Sequence, residues 1–160
     1  MREAGQRLRA IEGSEGAPAF RRRTGCTDDT TRVTADLEAR YHAYLAALND
    51  RRLDDLEHHV QDELTYNGTS MTRRQYHDLI AADVAAVPDL RYDAHLVVAS
   101  GDHVACRLVF DCTPQREFLG FTPDGRRLTF AEHVLYRFEG GRIAAVWSLI
   151  DRAAIAEQLG

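Results

Sequence analysis

The sequence predicts an α+β fold in which amphipathic helices come first and a curved antiparallel sheet follows. Before Pro88, apolar residues recur every three or four positions, which is the spacing of a buried helix face. After Pro88 the spacing changes to long runs rich in Val, Leu, Ile and aromatic residues. Turn signals at 100–102 (Ser-Gly-Asp) and 140–141 (Gly-Gly) divide these runs into hairpins. Helices followed by hairpin-connected strands pack as an α+β layer structure.

Three helices are predicted before Pro88. The first follows Thr34 as its N-cap, and a shorter helix follows at about residues 53–60. A brief extended segment at 64–66, stopped by the Asn-Gly pair at 67–68, separates it from a third helix. Thr72 is the predicted cap of this third helix, and Pro88 closes it.

Four long strands and a last short helix are predicted after Pro88. The strands are expected at 91–99, 103–113, 127–139 and 142–150, and the helix at 152–159. Long strands twist and curl. Helices that cover the concave face of a curled sheet leave a pocket, and such pockets hold small molecules.

One domain is expected over residues 31–160, preceded by a disordered tail at 1–30. The tail is rich in Arg, Gly and polar residues, including three arginines at 21–23, and has no sustained periodicity. A functional basic arm is the alternative interpretation of this segment.

Composition limits the classes of function. Hydrophobic residues make up 44% of the chain, which is enough for a core, and the net charge of -5 weighs against nucleic-acid binding. No apolar run approaches the ~20 residues that span a bilayer, and no apolar leader is visible, so a cytoplasmic protein is expected. The odd cysteine count (Cys26, Cys106 and Cys112) fits free thiols in a reducing compartment.

A series of short segments resembles a known family. They are GDHVACR (101–107), DCT (111–113), FLGFTPDGR (118–126) and YRFEGGRI (136–143), then Trp147 and Asp151, all after PDLR (88–91). In this order and spacing they resemble the SnoaL-like polyketide cyclases, or ester cyclases, of the nuclear transport factor 2-like superfamily. The resemblance covers about residues 35–160. It implies a cone-shaped α+β barrel with a deep cavity, which is usually a homodimer.

The resemblance also implies a type of chemistry. In the name-giving cyclases the cavity closes a ring by intramolecular aldol chemistry on a polyketide ester, with an Asp as acid and base and no metal or organic cofactor. We therefore expect a cofactor-independent cyclase or isomerase that acts on a hydrophobic, carbonyl-bearing small molecule of secondary metabolism. No metal-ligand spacing is visible in the sequence. The alternatives are a non-catalytic small-molecule-binding protein and an epoxide hydrolase that activates water between Asp and Arg.

The expected catalytic carboxylate departs from the family pattern. Many relatives carry an acid directly after the tryptophan, as in Trp-Asp-x-x-Asp, whereas this chain has Ser148 there and an acid only at Asp151. Strand alternation places Glu132 on one face with Val134 and Tyr136. Comparison with the family suggests that this face looks into the cavity. A carboxyl group in an apolar pocket has a raised pKa and can exchange a proton near neutral pH, so Glu132 is the leading acid/base candidate.

Alternative interpretations accompany the catalytic candidates and the two oxygen-binding ones. Glu132 could instead be a buried partner of a cation such as Arg107. Asp111 is a second carboxylate candidate, and Asp151 is a third whose alternative role is helix capping. In the family pattern an Arg at position 107 often points inward, where it could bind a ligand carbonyl, or it could form an ion pair. Asn67 could bind a substrate carbonyl or simply form the turn before the next glycine.

The remaining substrate-binding candidates are Tyr66, Tyr44, His133, Trp147 and Ser148. Aromatic residues at such positions are more often core than pocket lining. His133 has the opposite strand parity from the acid/base candidate, so a packed or interface histidine is its alternative interpretation.

Overall fold

The computed structural model describes residues 27–159, which form four α-helices, a short 3-10 turn and a six-stranded curved, unclosed sheet. The helices are α1 (Thr27–Asn49), α2 (Leu56–His59), α3 (Arg73–Ala86) and α4 (Arg152–Leu159), with the 3-10 turn at Leu53–Asp55 before α2. The strands are β1 (Val60–Tyr66), β2 (Thr69–Thr72), β3 (Asp93–Ser100), β4 (His103–Cys112), β5 (Leu128–Glu139) and β6 (Arg142–Ile150).

The first helix is longer than predicted. It begins at Thr27, so Thr34 lies inside it and the prediction that Thr34 is its N-cap is wrong. Residues 31–36 are mostly exposed, so this part of the helix has no apolar stripe from which it could be predicted. Of the expected tail at 1–30, residues 27–30 are helical, and the rest lies outside the described residues. The arginines at 21–23 and Cys26 also lie outside them.

The buried stripe of α1 and the start of α3 are confirmed. Leu37, Tyr41, Tyr44 and Leu48 are all buried. At α3 the Thr72 hydroxyl accepts from the Gln75 amide at 3.2 Å, and the Gln75 side chain accepts from the Thr72 amide at 2.8 Å. This reciprocal capping box satisfies two backbone donors that the helix itself leaves unpaired.

The strand order is β2-β1-β6-β5-β4-β3. The predicted hairpins β3–β4 and β5–β6 are confirmed, and β4 pairs with β5 over its whole length. The parallel pairing of β1 with β6, which joins the two ends of the chain in one sheet, was not predicted. The predicted second helix is also shorter, because its last apolar residue, Val60, is the first residue of β1.

The Asn-Gly pair at 67–68 is a hairpin turn rather than the end of an isolated strand. Asn67 and Gly68 have φ angles of 48° and 82°, and Tyr66 pairs with Thr69 across the turn. Two successive positive φ angles match the tight turn whose twist fits antiparallel strands. The turn therefore creates the edge strand β2 and fixes the position of the Asn67 side chain beside β6.

The concave face of the sheet holds the core, with α1 and α3 packed over it. Alternate residues of β4 and β5 point into this core, including Leu108, Phe110, Phe130 and Tyr136. Cys106 and Cys112 are buried there as free thiols. Within residues 27–159, no helix combines the length and apolar character that crossing a membrane requires.

Candidate functional site

A cavity of about 60 Å³ lies between α3 and the concave face of the sheet. Five of the six tyrosines of the chain line it, and two carboxyl groups, Asp83 and Glu132, are its acidic side chains. None of the described residues that line it is Lys, Arg or His. Its other lining side chains are apolar: Leu79, Ile80, Leu90, Phe110, Phe118, Leu119, Phe130, Val146 and Ile150.

A wider groove of about 510 Å³ beside α2 and α3 is a poorer candidate. It is open to solvent, and four of its charged or titratable side chains form two surface pairs. Arg73 contacts Asp62 at 2.5 Å, and His77 contacts Asp78 at 3.1 Å. Such exposed pairs are ordinary surface features.

Glu132 lies in the cavity, as strand alternation and the family resemblance together predicted. On β5 it is opposite Leu108 of β4 and Ile150 of β6. The Ser148 hydroxyl donates to Glu132 Oε1 at 2.5 Å, and no cation pairs with Glu132 within residues 27–159. Burial raises the pKa of Glu132, the Ser148 hydrogen bond partly opposes that rise, and the charge of Asp83 adds to it.

Ser148 is itself held in place by Asn67. The Asn67 side chain accepts from the Ser148 backbone amide at 2.8 Å and donates to the Ser148 carbonyl at 3.2 Å. Because both ends of this amide are engaged with the backbone, Asn67 is not directed at a substrate carbonyl. Asn67 is therefore a turn-forming residue, which was the alternative interpretation. It also positions Ser148, whose hydroxyl contacts Glu132.

Asp83 is the site residue that sequence analysis missed. It lies on α3 and shares the buried stripe of Tyr76, Ile80 and Val87, at intervals of three and four residues. A carboxylate on an apolar helix stripe is the signal that could have identified it. No hydrogen bond or ion pair satisfies its side chain within the described part of the chain, and burial raises its pKa to about 6.

Tyr44 and Tyr66 are in the cavity wall, as proposed. The hydroxyls of Tyr44 and Tyr76 share a hydrogen bond of 2.7 Å, and burial raises both pKa values. Burial also raises the pKa of Tyr66, although a contact with Ser148 opposes the rise. These phenols can therefore donate hydrogen bonds but do not release protons near neutral pH.

Arg107 and His133 lie on the outer face of the sheet, so the expectation that Arg107 points inward is wrong. Arg107 pairs with His133 across β4 and β5, whereas the next pair, Leu108 with Glu132, faces the cavity. Because successive residues of a strand point to opposite faces, Arg107 cannot reach the side of the sheet that Glu132 occupies. The alternative of a buried ion pair between Arg107 and Glu132 is excluded for the same reason.

Asp111 and Trp147 are also outside the cavity, contrary to their proposed roles. Asp111 is exposed and accepts from Arg127 Nε at 2.5 Å, and this bond lowers its pKa. Trp147 is 40% exposed and stacks on His103 with ring centroids 6.3 Å apart. Neither residue is placed to contact a ligand of Glu132.

Asp151 caps the last helix instead of lining the cavity. Its Oδ1 accepts from the Ala154 backbone amide at 3.0 Å, in the first turn of α4. The side chain is exposed. The capping alternative therefore accounts for Asp151, and neither position of the Trp-Asp-x-x-Asp pattern supplies a cavity carboxylate here.

Comparison with known proteins supports this picture of the fold. A SnoaL-like polyketide cyclase from Agrobacterium tumefaciens is 42% identical, with a TM-score of 0.75 over 78% of this chain and 98% of that one. AclR, a candidate hydroxylase from Streptomyces galilaeus, is 26% identical, with a TM-score of 0.67 over 79% and 97%. IdmH, a candidate polyketide cyclase from Streptomyces antibioticus, is 24% identical, with a TM-score of 0.69 over 78% and 98%, and this likeness concerns the fold.

No curated protein sequence matches the chain at a significant level. The family profile described as SnoaL-like polyketide cyclase matches residues 38–159, which include every residue that lines the cavity. The chain therefore belongs to the SnoaL-like polyketide cyclase family.

Proposed function

We propose that this protein is a cofactor-independent cyclase or isomerase in which Glu132 moves protons on carbon. One observation carries the proposal: Glu132 is a desolvated carboxyl in an aromatic cavity, and no cation from residues 27–159 pairs with it. Such a group can take and return a proton near neutral pH. The family contains proteins named as cyclases, which agrees with chemistry at a carbon next to a carbonyl group.

The proposed step is an enolisation. The Glu132 carboxylate removes a proton from the carbon beside the carbonyl, and the electron pair of the broken C–H bond moves toward the carbonyl oxygen. In an isomerase, the protonated Glu132 returns its proton to another carbon. In a cyclase, the enol carbon forms a bond to a second carbonyl carbon, whose oxygen takes up the proton. Ser148 keeps the carboxyl oriented through the 2.5 Å hydrogen bond in either case.

The cavity favours a neutral, hydrophobic substrate. Its lining offers aromatic and aliphatic surface but no cation to balance a substrate carboxylate. A ketone or an ester therefore fits the chemistry better than a free acid. At about 60 Å³ the space suits a small ligand. A polycyclic substrate requires movement of the partly exposed side chains at its rim, Leu79 and Leu119.

The two alternative functions have less support. A non-catalytic binding protein is expected to neutralise its cavity carboxylates with ion pairs, yet neither Asp83 nor Glu132 has one within residues 27–159. An epoxide hydrolase that holds water between Asp and Arg needs an arginine at the cavity, and Arg107 lies on the opposite face of the sheet.

Turnover of a small probe tests the proposed chemistry. The probe is 3-cyclohexen-1-one, whose isomerisation to the conjugated ketone is followed by ultraviolet absorbance. We expect a rate above that of buffer alone and saturation with probe concentration. Two results together would refute the proposal. They are an isomerisation rate no higher than that of buffer alone and an ordinary pKa for Glu132 in a titration.

We also propose that the chain forms a homodimer through its outer sheet face. This face carries Leu96, Val98, Leu135, Trp147 and Leu149, which are five of the seven exposed large hydrophobic residues in the described part of the chain. The register puts Val98, Leu135 and Trp147 in one row across the sheet with Ala105, and puts Leu96 and Leu149 in the next row, where Arg107 and His133 lie between them. A group of exposed apolar side chains of this kind is typical of an interface, and a second copy offers a sheet of the same curvature.

Light scattering at micromolar concentration checks the dimer. We expect the wild type to have twice the chain mass and Leu149→Glu, at a residue that is 71% exposed on the outer sheet face, to shift toward the monomer. Val33→Glu, at an exposed apolar residue of α1, is the matched control and should remain a dimer. A monomeric wild type would contradict this arrangement.

A further inference from the structure

Two carboxyl groups share the cavity, but their surroundings differ. Glu132, on β5, accepts a hydrogen bond from Ser148, and such a bond stabilises a carboxylate. Asp83 projects from α3 into the same cavity, and no donor contacts its side chain within residues 27–159. Hydrogen bonding therefore stabilises the charged form of Glu132 but not that of Asp83, and burial favours the protonated form of Asp83.

We propose that Asp83 is a second proton-transfer residue, which protonates the substrate carbonyl oxygen while Glu132 acts on carbon. This inference rests on the proposed function of the cavity. Asp83 and Glu132 project from opposite walls, the helix α3 and the strand β5, so a bound carbonyl compound lies between them. A pair of carboxyls in unlike environments can divide the acid and base roles.

The other titratable groups around Asp83 do not compete for the acid role. They are Tyr76 on its own helix, Tyr66 on β1, Tyr92 before β3, and Glu132 itself. Burial raises the pKa values of all three phenols, so they hold their protons. The nearby Arg51 is not in the cavity wall, and its guanidinium donates to the backbone carbonyls of Leu48 and Leu90 at 3.2 and 2.6 Å.

The step balances with the two groups in these roles. With 3-cyclohexen-1-one, the Glu132 carboxylate removes the proton between the carbonyl and the double bond, and the Asp83 carboxyl gives its proton to the carbonyl oxygen. The product is a neutral dienol. Glu132 then returns its proton to the far carbon of the diene, and the Asp83 carboxylate takes back the hydroxyl proton, which yields the conjugated ketone with both residues restored.

The pH profile of Asp83→Asn tests this inference. With 3-cyclohexen-1-one as the probe, the wild-type kcat/KM should decline as pH rises past the Asp83 pKa of about 6, because the acid is then ionised. Asp83→Asn should reduce kcat/KM about tenfold or more at about pH 5.5 and should abolish this alkaline decline. A residue with only a structural role would lower the rate without changing the shape of the profile.

The outcomes separate this inference from the proposed function. If Glu132→Gln is inactive while Asp83→Asn keeps both the rate and the alkaline decline, Asp83 is not the acid and the role of Glu132 stands. If the wild type does not isomerise the probe, NMR titration of the Asp83 carboxyl carbon decides. An Asp83 pKa near 6, together with a Glu132 pKa that falls in Asp83→Asn, supports a coupled pair, and an ordinary Asp pKa near ~3.9 overturns the inference.

Discussion

Glu132→Gln is expected to lower the turnover of 3-cyclohexen-1-one at least about a hundredfold. Glutamine has nearly the same shape and can still accept the hydrogen bond of the Ser148 hydroxyl, so the geometry of the cavity is preserved. It cannot take a proton from carbon, and a positioned general base contributes about 10²–10⁴ in rate. The measurement is kcat/KM for the probe at neutral pH, with the fold checked by circular dichroism.

A carboxylate on the same strand supplies the matched control. Glu139 is exposed at the end of β5 and contacts Arg137 at 3.4 Å, far from the cavity lining. Glu139→Gln should retain the wild-type rate, because it removes one charge without altering the proposed base. If Glu132→Gln isomerised the probe as fast as the wild type does, Glu132 would be excluded as the group that moves the proton.

Asp83→Asn is expected to stabilise the protein. Its gain in free energy of unfolding over the wild type should increase as the pH rises from about 4 to about 6. The Asp83 pKa is raised to about 6 in the folded state by burial, so the folded state binds this proton more tightly than the unfolded state does. Asp83 therefore favours folding at low pH and opposes it once ionised. A rise of about two pKa units corresponds to about 3 kcal/mol, which we reduce to about 2 kcal/mol because the side chain is partly exposed.

The measurement is the free energy of unfolding in urea for wild type and variant across this pH range. The free energy of unfolding of the variant minus that of the wild type should increase by about 2 kcal/mol and then level off above pH 6. Asp78→Asn, on the exposed side of the same helix, controls for the loss of one negative charge from an acidic protein. A difference that stays constant with pH would mean that Asp83 is solvated and not part of the cavity wall.

Local signals in the sequence were sufficient for most of the fold. The cap at Thr72, the Gly-Gly turn at 140–141 and the change of period after Pro88 predicted α3 and the two long hairpins to within two residues. The parallel pairing of β1 with β6 joins segments about eighty residues apart, and no local pattern encodes it. The hairpin at Asn67 did have a local signal, the Asn-Gly pair, which was interpreted too narrowly.

The candidate site was predicted only in part, and the reasons are specific. Strand alternation put Glu132 on one face with Val134 and Tyr136, and the family resemblance directed that face into the cavity. Arg107 was placed inward from family resemblance, although its neighbours Cys106 and Leu108 form the apolar, buried set of β4. Asp83 was missed because only the apolar residues of α3 were used to define the buried face of this helix. The carboxylate on the same face was not considered.

The relation between Ser148 and Glu132 could not be derived from sequence at all. Ser148 lies where many relatives carry an acid, and alone it suggests that the chain has lost its catalytic group. Its hydroxyl instead contacts Glu132 on the neighbouring strand, and Asn67 holds its backbone from the turn after β1. Three segments of the chain meet at this point, so only the folded arrangement shows that a buried carboxyl group lies against Ser148.

The most direct test of the account is a pH titration of the Glu132 side-chain carboxyl carbon by NMR, with Glu132→Gln to assign the signal. We predict a pKa clearly above the ~4.3 of a free glutamate, since burial raises it and no cation of the described residues lowers it. An ordinary or lowered pKa would show that Glu132 is solvated or ion-paired, and would contradict its role as the proton-transfer group of this cavity.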